Sequence, residues 1–317
     1  MGLISKLYIK KFVCRYDKEV GVPYYSHLDF DGLKQEKCVF NNSKGIEIHY
    51  FYYYYDNYKN DKIILFCHGL GAGHLAYLAE IEQLAKRGYK VLTLDFTGCG
   101  ESKGKYLGSL NAPTRDAIDL LNHLKLDKPI ILVGHSMGGF TCLNLINLRD
   151  DISKAIIFSG FLSIPLEVNA LIKPKFVAKR ILKYENKVEP DYFALDNIEY
   201  LKSTNDKLFF IQSEDDSMVP YSTALKVVEE ISNPNIRTLR IQGRKHNPNY
   251  TDDAVIYMNN VFYEFNKMVK EKAIKTDEDK INYFKDVSLE KLVEQDEEIF
   301  NQIKEFIELS YTYGKDQ

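Results

Sequence analysis

Ile130-Ile131-Leu132-Val133-Gly134-His135-Ser136-Met137-Gly138-Gly139 is the stretch whose reading decides the fold. Its first four residues are a short apolar run, the pattern of a strand buried on both faces. The residues from Phe140 to Leu148 are of helix length and amphipathic, so the intervening Gly-x-Ser-x-Gly spans a strand-to-helix turn. A residue held on so sharp a turn is forced towards strained backbone angles, and its neighbours must approach closely. Glycines two before and two after Ser136 remove the Cβ atoms that would collide there. The Ser136 hydroxyl then stands above the edge of a sheet, beneath the positive end of the following helix. Ser136 is therefore the candidate nucleophile.

Working outward, the chain alternates strand and helix patterns between about Glu36 and Lys270. Cys38–Phe40 and Gly45–Tyr55, joined by the turn residues of Asn41-Asn42-Ser43-Lys44-Gly45, read as a hairpin. Apolar runs at Ile63–Cys67, Lys90–Leu94, Ile130–Val133, Ala155–Phe158 and Leu208–Ile211 read as buried strands, with a last strand at Ile236–Ile241. Amphipathic stretches at Leu75–Lys86, Thr114–Leu124, Phe140–Leu148, Ser222–Ile231 and Asp252–Val269 read as helices. This alternation predicts an α/β protein with a mainly parallel central sheet covered by helices on both faces. Phe161–Asn205 carries no strand pattern, only helical patches broken by Pro165, Pro174 and Pro190, which suits a small inserted cap. The expected organisation is a core in two parts, 36–160 and 206–270, with the cap at 161–205. An N-terminal extension covers 1–35, and an acidic helical C-terminal extension covers 271–317. In the latter, Leu289, Leu292, Ile299, Ile303 and Phe306 recur at near-helical spacing. They predict an amphipathic helix that packs on the core or offers a protein contact.

Three further stretches carry chemistry. Cys67-His68-Gly69-Leu70-Gly71-Ala72-Gly73 closes an early strand and precedes a helix. Attack on an acyl carbon puts charge on its oxygen, and such a loop can aim backbone N–H groups at it; the Leu70 and Met137 amides are the expected oxyanion donors. A P-loop is excluded by the missing Lys-Ser/Thr, and Gly-x-Gly-x-x-Gly is not matched. His68 has no His or Cys at ligand spacing, so it reads as structural. His246 follows the last core strand and precedes the last core helix, at a sheet edge where α/β proteins bind ligands; it is the candidate base for Ser136. Between the two in chain order stands Ser213-Glu214-Asp215-Asp216-Ser217-Met218-Val219-Pro220, where Asp215 or Asp216 would orient the histidine.

Composition narrows the class. Apolar residues make up 45% and charged residues 27% of 317, with a formal net charge of −3, which gives no reason to invoke nucleic acid. Five scattered cysteines form no C-x-x-C pair, arguing against a disulfide scaffold or zinc site and for a reducing compartment. No apolar run approaches the length of a membrane span, so no stable membrane insertion is expected and a cytoplasmic location is the default.

Four motifs together resemble the α/β-hydrolase superfamily, in the branch of carboxylesterases, monoacylglycerol lipases and serine aminopeptidases. They are His68-Gly69-Leu70-Gly71, Asp95-Phe96-Thr97-Gly98-Cys99-Gly100-Glu101-Ser102, the Ser136 turn, and Asp216-Ser217-Met218-Val219-Pro220 with His246. The resemblance covers roughly Glu36 to Lys270 and implies an α/β-hydrolase fold. Its usual acid stands four residues before the Val-Pro proline, which selects Asp216. Two positions depart from the pattern: Ser213 replaces a common Gly, and Thr97 a common Arg. The resemblance implies catalysis by Ser136, Asp216 and His246 through an acyl-enzyme, with no metal or organic cofactor. The expected substrate is a small or medium acyl ester. Peptide or amide cleavage is the alternative, and a hydrolase-fold binding module without chemistry is a third. Lys173, Lys175, Lys179, Arg180 and Lys183 in the cap read as solvated helix faces, with a tilt towards an anionic or amphiphilic substrate as the alternative.

Overall fold

The computed structural model describes residues 2–59 and 61–309; residues 310–317 of the expected C-terminal extension lie outside the described residues. The strands are β1 (Lys34–Asn41), β2 (Glu47–Tyr54), β3 (Ile63–Cys67), β4 (Lys90–Leu94), β5 (Ile130–His135), β6 (Ile152–Phe158), β7 (Lys207–Ser213) and β8 (Ile236–Ile241). They form one sheet in the order β1-β2-β4-β3-β5-β6-β7-β8. The hairpin β1–β2 is antiparallel and pairs antiparallel with β4, while every pairing from β4 to β8 is parallel. This is the mainly parallel, helix-covered sheet that the alternation predicts and the α/β-hydrolase architecture that the resemblance implies.

The helices before the insert are α1 (Leu3–Lys11), α2 (Leu78–Ala85), α3 (Ala112–Leu124) and α4 (Met137–Leu148). The insert between β6 and β7 holds α5 (Ile164–Leu171), α6 (Lys175–Val188), α7 (Pro190–Phe193) and α8 (Asn197–Ser203). Beyond β7 come α9 (Leu225–Glu229), α10 (Asp252–Lys270), α11 (Asp277–Phe284), α12 (Leu289–Leu292) and α13 (Glu297–Glu308).

Alternation along the strands feeds two cores. Leu65, Leu92, Leu132, Ile157 and Phe210 point to a face covered by α3, α4 and α9, through Leu120, Leu143 and Val228. Their neighbours Phe66, Val91, Val133, Phe158 and Phe209 point to the other face, covered by Leu78, Ile81 and Leu84 of α2 and by Ile299, Phe300, Ile303 and Phe306 of α13. The α13 part of the C-terminal apolar stripe is thus buried in the chain's own core.

Two expectations need correction. The C-terminal stripe is not one helix: Leu289 and Leu292 lie on α12, and Ile299, Ile303 and Phe306 on α13. Gln295 pairs with Tyr250 as a β-bridge, and the Asp296 side chain caps α13 by accepting from Glu298 N and Ile299 N, so the helix starts afresh there. The expected helix at Ser222–Ile231 is a short 3-10 turn, Tyr221–Thr223, followed by α9. Ala224, at φ −126° and ψ −101°, separates them. The far end of α13 is also secured: Lys154 of β6, buried, donates to the carbonyls of Ile307 at 2.7 Å and Leu309 at 2.6 Å. Burial holds this ammonium below its ordinary pKa.

Candidate active site

Ser136 occupies the turn between β5 and α4 with φ 56° and ψ −119°, a region that disfavours any residue with a Cβ. The strain is held by its surroundings. Ser136 N–H donates to Phe158 O at 2.9 Å, and Ser136 O accepts from Phe140 N–H at 3.0 Å. A Cβ on Gly138 would come within 1.9 Å of Cys67 O, and one on Gly134 within 2.4 Å of Gly138 O. Both glycines are therefore required by close backbone approach, as the motif implies. Gly138→Ala is expected to destabilise the fold by about 3 kcal/mol or more, since rigid backbone has to give way. A urea unfolding midpoint within error of wild type would contradict that packing.

The Cys67–Gly73 loop lies against this turn. A Cβ on Gly69 would meet Ser136 Cβ at 3.2 Å and His135 O at 3.1 Å. Leu70 is half-buried beside it, and Met137 opens α4, where the first amides have no acceptor within the helix. His68 is wholly buried: its Nδ1 donates to Gly69 O at 2.6 Å and its Nε2 accepts from Phe96 N–H at 3.2 Å. Both ring nitrogens are thereby used within the protein, and burial holds the imidazole below its ordinary pKa.

The Asp95–Ser102 motif is a support for this loop. Asp95, fully buried, accepts from His74 N at 2.7 Å, His74 Nδ1 at 2.8 Å and Glu101 N at 2.8 Å. Burial pushes its carboxyl up, but the His74 and His68 rings and these donors outweigh that and hold it low. Gly73 and Gly100 approach the carboxylate so closely that a Cβ would fall within 2.1 Å and 2.3 Å of it. Thr97, where the pattern has Arg, accepts from Asn42 Nδ2 and from Arg115, which also pairs with Asp116 and with Glu189 beyond α6.

His246 and the two candidate acids are brought together at the carboxyl ends of β7 and β8. His246 Nδ1 donates to Asp216 Oδ2 at 2.8 Å. Asp216 Oδ1 accepts from Met218 N at 2.8 Å and Val219 N at 3.0 Å, so the buried carboxylate has three donors. Asp215 points elsewhere: its Oδ1 accepts from Ser213 Oγ, Gly243 N and Lys245 N and closes the loop that carries His246. Ser213 Oγ also accepts from Arg244 N at 3.1 Å. The Gly-to-Ser departure therefore stitches the two loops together and leaves Asp216 on the histidine.

Three contributors escaped the sequence reading. His135 Nε2 lies 2.6 Å from His246 O, and a carbonyl only accepts, so His135 donates there. Its Nδ1 then accepts from Tyr77 Oη at 3.0 Å. Burial, followed by the nearby His246, holds the His135 pKa down at about 3, so the ring stays neutral. The residue before Ser136 thus ties the loop of His246 to the Ser136 turn. Second, the C-terminal extension holds the same loop. Arg244 pairs with Asp252 at 2.8 Å and with Asp296 at 2.7 Å, and Asp296 N–H donates to Asn249 O at 2.8 Å. Third, Glu167 of α5 is buried near Asp216, with Oε2 unpaired among the described residues; burial, then Asp216, pushes it up to about 8. Only the strained Gly-x-Ser-x-Gly turn signalled in advance that its middle residue is close to everything else.

Among the described residues no group of His, Cys, Asp or Glu could hold a metal ion. The five cysteines are free, and no helix among the described residues is long and apolar enough to cross a membrane.

The sheet order, the strained serine turn and the paired His246 and Asp216 define an α/β hydrolase. The family described as serine aminopeptidase, S33, matches residues 58–248, and the chain belongs to it. Relatives include a putative esterase/lipase of Haemophilus influenzae, 30% identical over 108 residues, covering 34% of this chain and 37% of that protein. Lysophosphatidylserine lipase ABHD12 of Rattus norvegicus is 30% identical over 190 residues, covering 53% of this chain and 45% of that protein. The chain thus spans less than half the length of these curated relatives. Among solved structures, the Pyrococcus furiosus esterase Pf2001 superposes with a TM-score of 0.57 at 20% identity, covering 81% of this chain and 96% of that one, a likeness of fold.

Proposed function

We propose that the chain is a serine hydrolase that cleaves carboxylic esters of small or medium acyl groups through an acyl-enzyme on Ser136. The observation that carries this reading is the bond from His246 Nδ1 to Asp216, made while His135, next to Ser136, grips the His246 carbonyl. That bond leaves Nε2 as the ring nitrogen free to take a proton. In the first step His246 takes the Ser136 proton, Ser136 Oγ attacks the acyl carbon, and the alcohol leaves with the proton that His246 returns. In the second, water attacks the acyl carbon with His246 again as base, and Ser136 is released with the acid. The Leu70 and Met137 amides would hold the oxyanion of each tetrahedral state. No cofactor enters either step. The esterase and lipase descriptions of the relatives support ester cleavage.

Peptide or amide cleavage is a second reading. The family description and Glu167, a buried acid near Asp216, favour it, because a substrate ammonium would need an acidic partner. Reaction with a fluorophosphonate probe tests the serine mechanism: wild type should be labelled, and Ser136→Ala and His246→Ala should not. Folded wild type that resists the probe would overturn the proposal. Parallel rates on p-nitrophenyl esters and aminoacyl p-nitroanilides then separate the two readings.

A further inference from the structure

Two helices outside the catalytic machinery share a charge pattern that the rest of the chain does not. α1 and α6 together carry eight basic residues, Lys6, Lys10, Lys11, Lys175, Lys179, Arg180, Lys183 and Lys187, and one acid, Glu185. The whole chain has a net charge of −3, so positive charge is concentrated on this pair. All eight are exposed, and none forms an ion pair with a described residue, whereas many other surface cations, such as Lys37, Lys86, Arg149 and Lys202, do. Eight neighbouring like charges with no acidic partner repel one another, and a polyanionic surface would relieve that repulsion.

The same faces expose large apolar side chains. Leu3 is 73% and Leu7 48% exposed on α1, and Phe176 is 63% exposed at the start of α6. At 100° per residue Leu3, Lys6, Leu7 and Lys10 fall on one side of α1, opposite the buried Tyr8 and Ile9. On α6, Phe176, Lys179, Arg180, Lys183 and Lys187 recur at helical spacing, opposite the buried Ala178, Ile181 and Glu185. Leucine and phenylalanine set among lysines suit the boundary between headgroups and acyl chains.

The buried sides hold the two helices as one body. Tyr8 Oη donates to Glu185 Oε1 at 2.6 Å, Ser109 Oγ donates to Glu185 Oε2 at 2.6 Å, and the Tyr8 and Tyr184 rings meet edge-on at 5.9 Å. The N-terminal helix, the insert and the core loop at Ser109 are thereby joined through one carboxylate. The insert also carries Glu167 to the neighbourhood of Asp216, so the α6 face and a buried acid near the candidate site belong to the same insert.

We infer that the outward faces of α1 and α6 dock the protein peripherally on a bilayer rich in anionic lipid. Lysines and Arg180 contact the headgroups, and Leu3, Leu7 and Phe176 enter the interface. Docking stands on this surface alone and does not depend on the proposed catalysis.

The test is partition of the 317-residue chain, and of its Ser136→Ala variant, onto phosphatidylcholine vesicles with or without phosphatidylglycerol, with a soluble RNA as competing polyanion. Binding should require the anionic lipid and weaken with salt. Each basic residue lost near the surface weakens partition roughly fivefold, so Lys179→Glu/Arg180→Glu/Lys183→Glu should lower it by about a hundredfold or more. Leu3→Ser/Leu7→Ser/Phe176→Ser should lower it by about tenfold, as buried apolar area is lost. Both triple variants alter exposed positions only and should keep the wild-type unfolding midpoint and fluorophosphonate labelling. Equal binding to neutral vesicles, or unchanged binding by the charge variant, overturns the inference. So does a charge-dependent binding that the apolar variant leaves intact and RNA competes away, for then the face serves a soluble polyanion. Vesicle binding by a protein that no probe labels would leave docking standing and sink the esterase reading.

Discussion

Ser136→Ala should lower kcat/KM for a p-nitrophenyl ester by about 10⁶-fold, with His246→Ala falling nearly as far. The two losses should not add, because Ser136 and His246 perform one event: the hydroxyl is a poor nucleophile unless its proton leaves as the bond forms. The small rate that survives, still above that of water alone, would come from the oxyanion amides and substrate binding. Stability should move little in Ser136→Ala, since the strain at φ 56° belongs to the turn, alanine keeps the same Cβ, and the Ser136 side chain makes no capping bond to α4. Steady-state kinetics after active-site titration, which excludes wild-type contamination, would check both points. A Ser136→Ala rate within a hundredfold of wild type would mean that another residue attacks the substrate.

Asp216→Asn should lower kcat by about 10⁴-fold, while the adjacent Asp215→Asn should change it less than about tenfold. The difference follows from the donors around each carboxylate. Asp216 Oδ1 accepts from two backbone N–H groups, Met218 and Val219, which cannot turn away. An asparagine there must put its carbonyl oxygen on those amides and its NH₂ towards His246 Nδ1. Nδ1 must then accept, and the ring proton moves to Nε2, the nitrogen that has to receive the Ser136 proton. The wrong tautomer is built in, with almost no change in shape. Asp215 instead accepts from Ser213 Oγ and the Gly243 and Lys245 amides, all within the loop framework. Its amide form retains one oxygen for these donors. Comparable losses from the two substitutions would show that the loop as a whole, and not one carboxylate, orients the histidine.

Much of this arrangement was legible without coordinates. The β5–α4 turn announced itself because strand periodicity, two glycines and helix periodicity all occur within a few residues and constrain one another. Strands β3 to β7 were readable from short apolar runs, since parallel strands buried on both faces leave little room for polar alternation, whereas β8 at the sheet edge keeps Arg237, Thr238 and Arg240. Chain order left Asp215 and Asp216 both open, the family resemblance selected Asp216 through the family's spacing to Pro220, and in the structure it is Asp216 that bonds to His246.

Other features depended on residues far apart in the chain. That α13 covers a face of the sheet follows from Phe300 meeting Phe158, rings 6.2 Å apart across a long separation in sequence, and an amphipathic stripe carries no address for its partner. The break between α12 and α13 arises because Gln295 pairs with Tyr250, a contact that overrides the helical spacing around it. His135 reads locally as an ordinary strand end, and its hold on His246 exists only because β5 and the β8 loop finish at the same sheet edge. The N-terminal helix, without any motif, is joined to the insert by Tyr8 and Glu185. Sequence alone determined what local backbone chemistry can encode: the periodicities, the serine turn and the order of the candidate site residues. Tertiary structure decided which buried faces meet and which donors reach which acceptors, because those choices are settled by packing between segments that are remote along the chain.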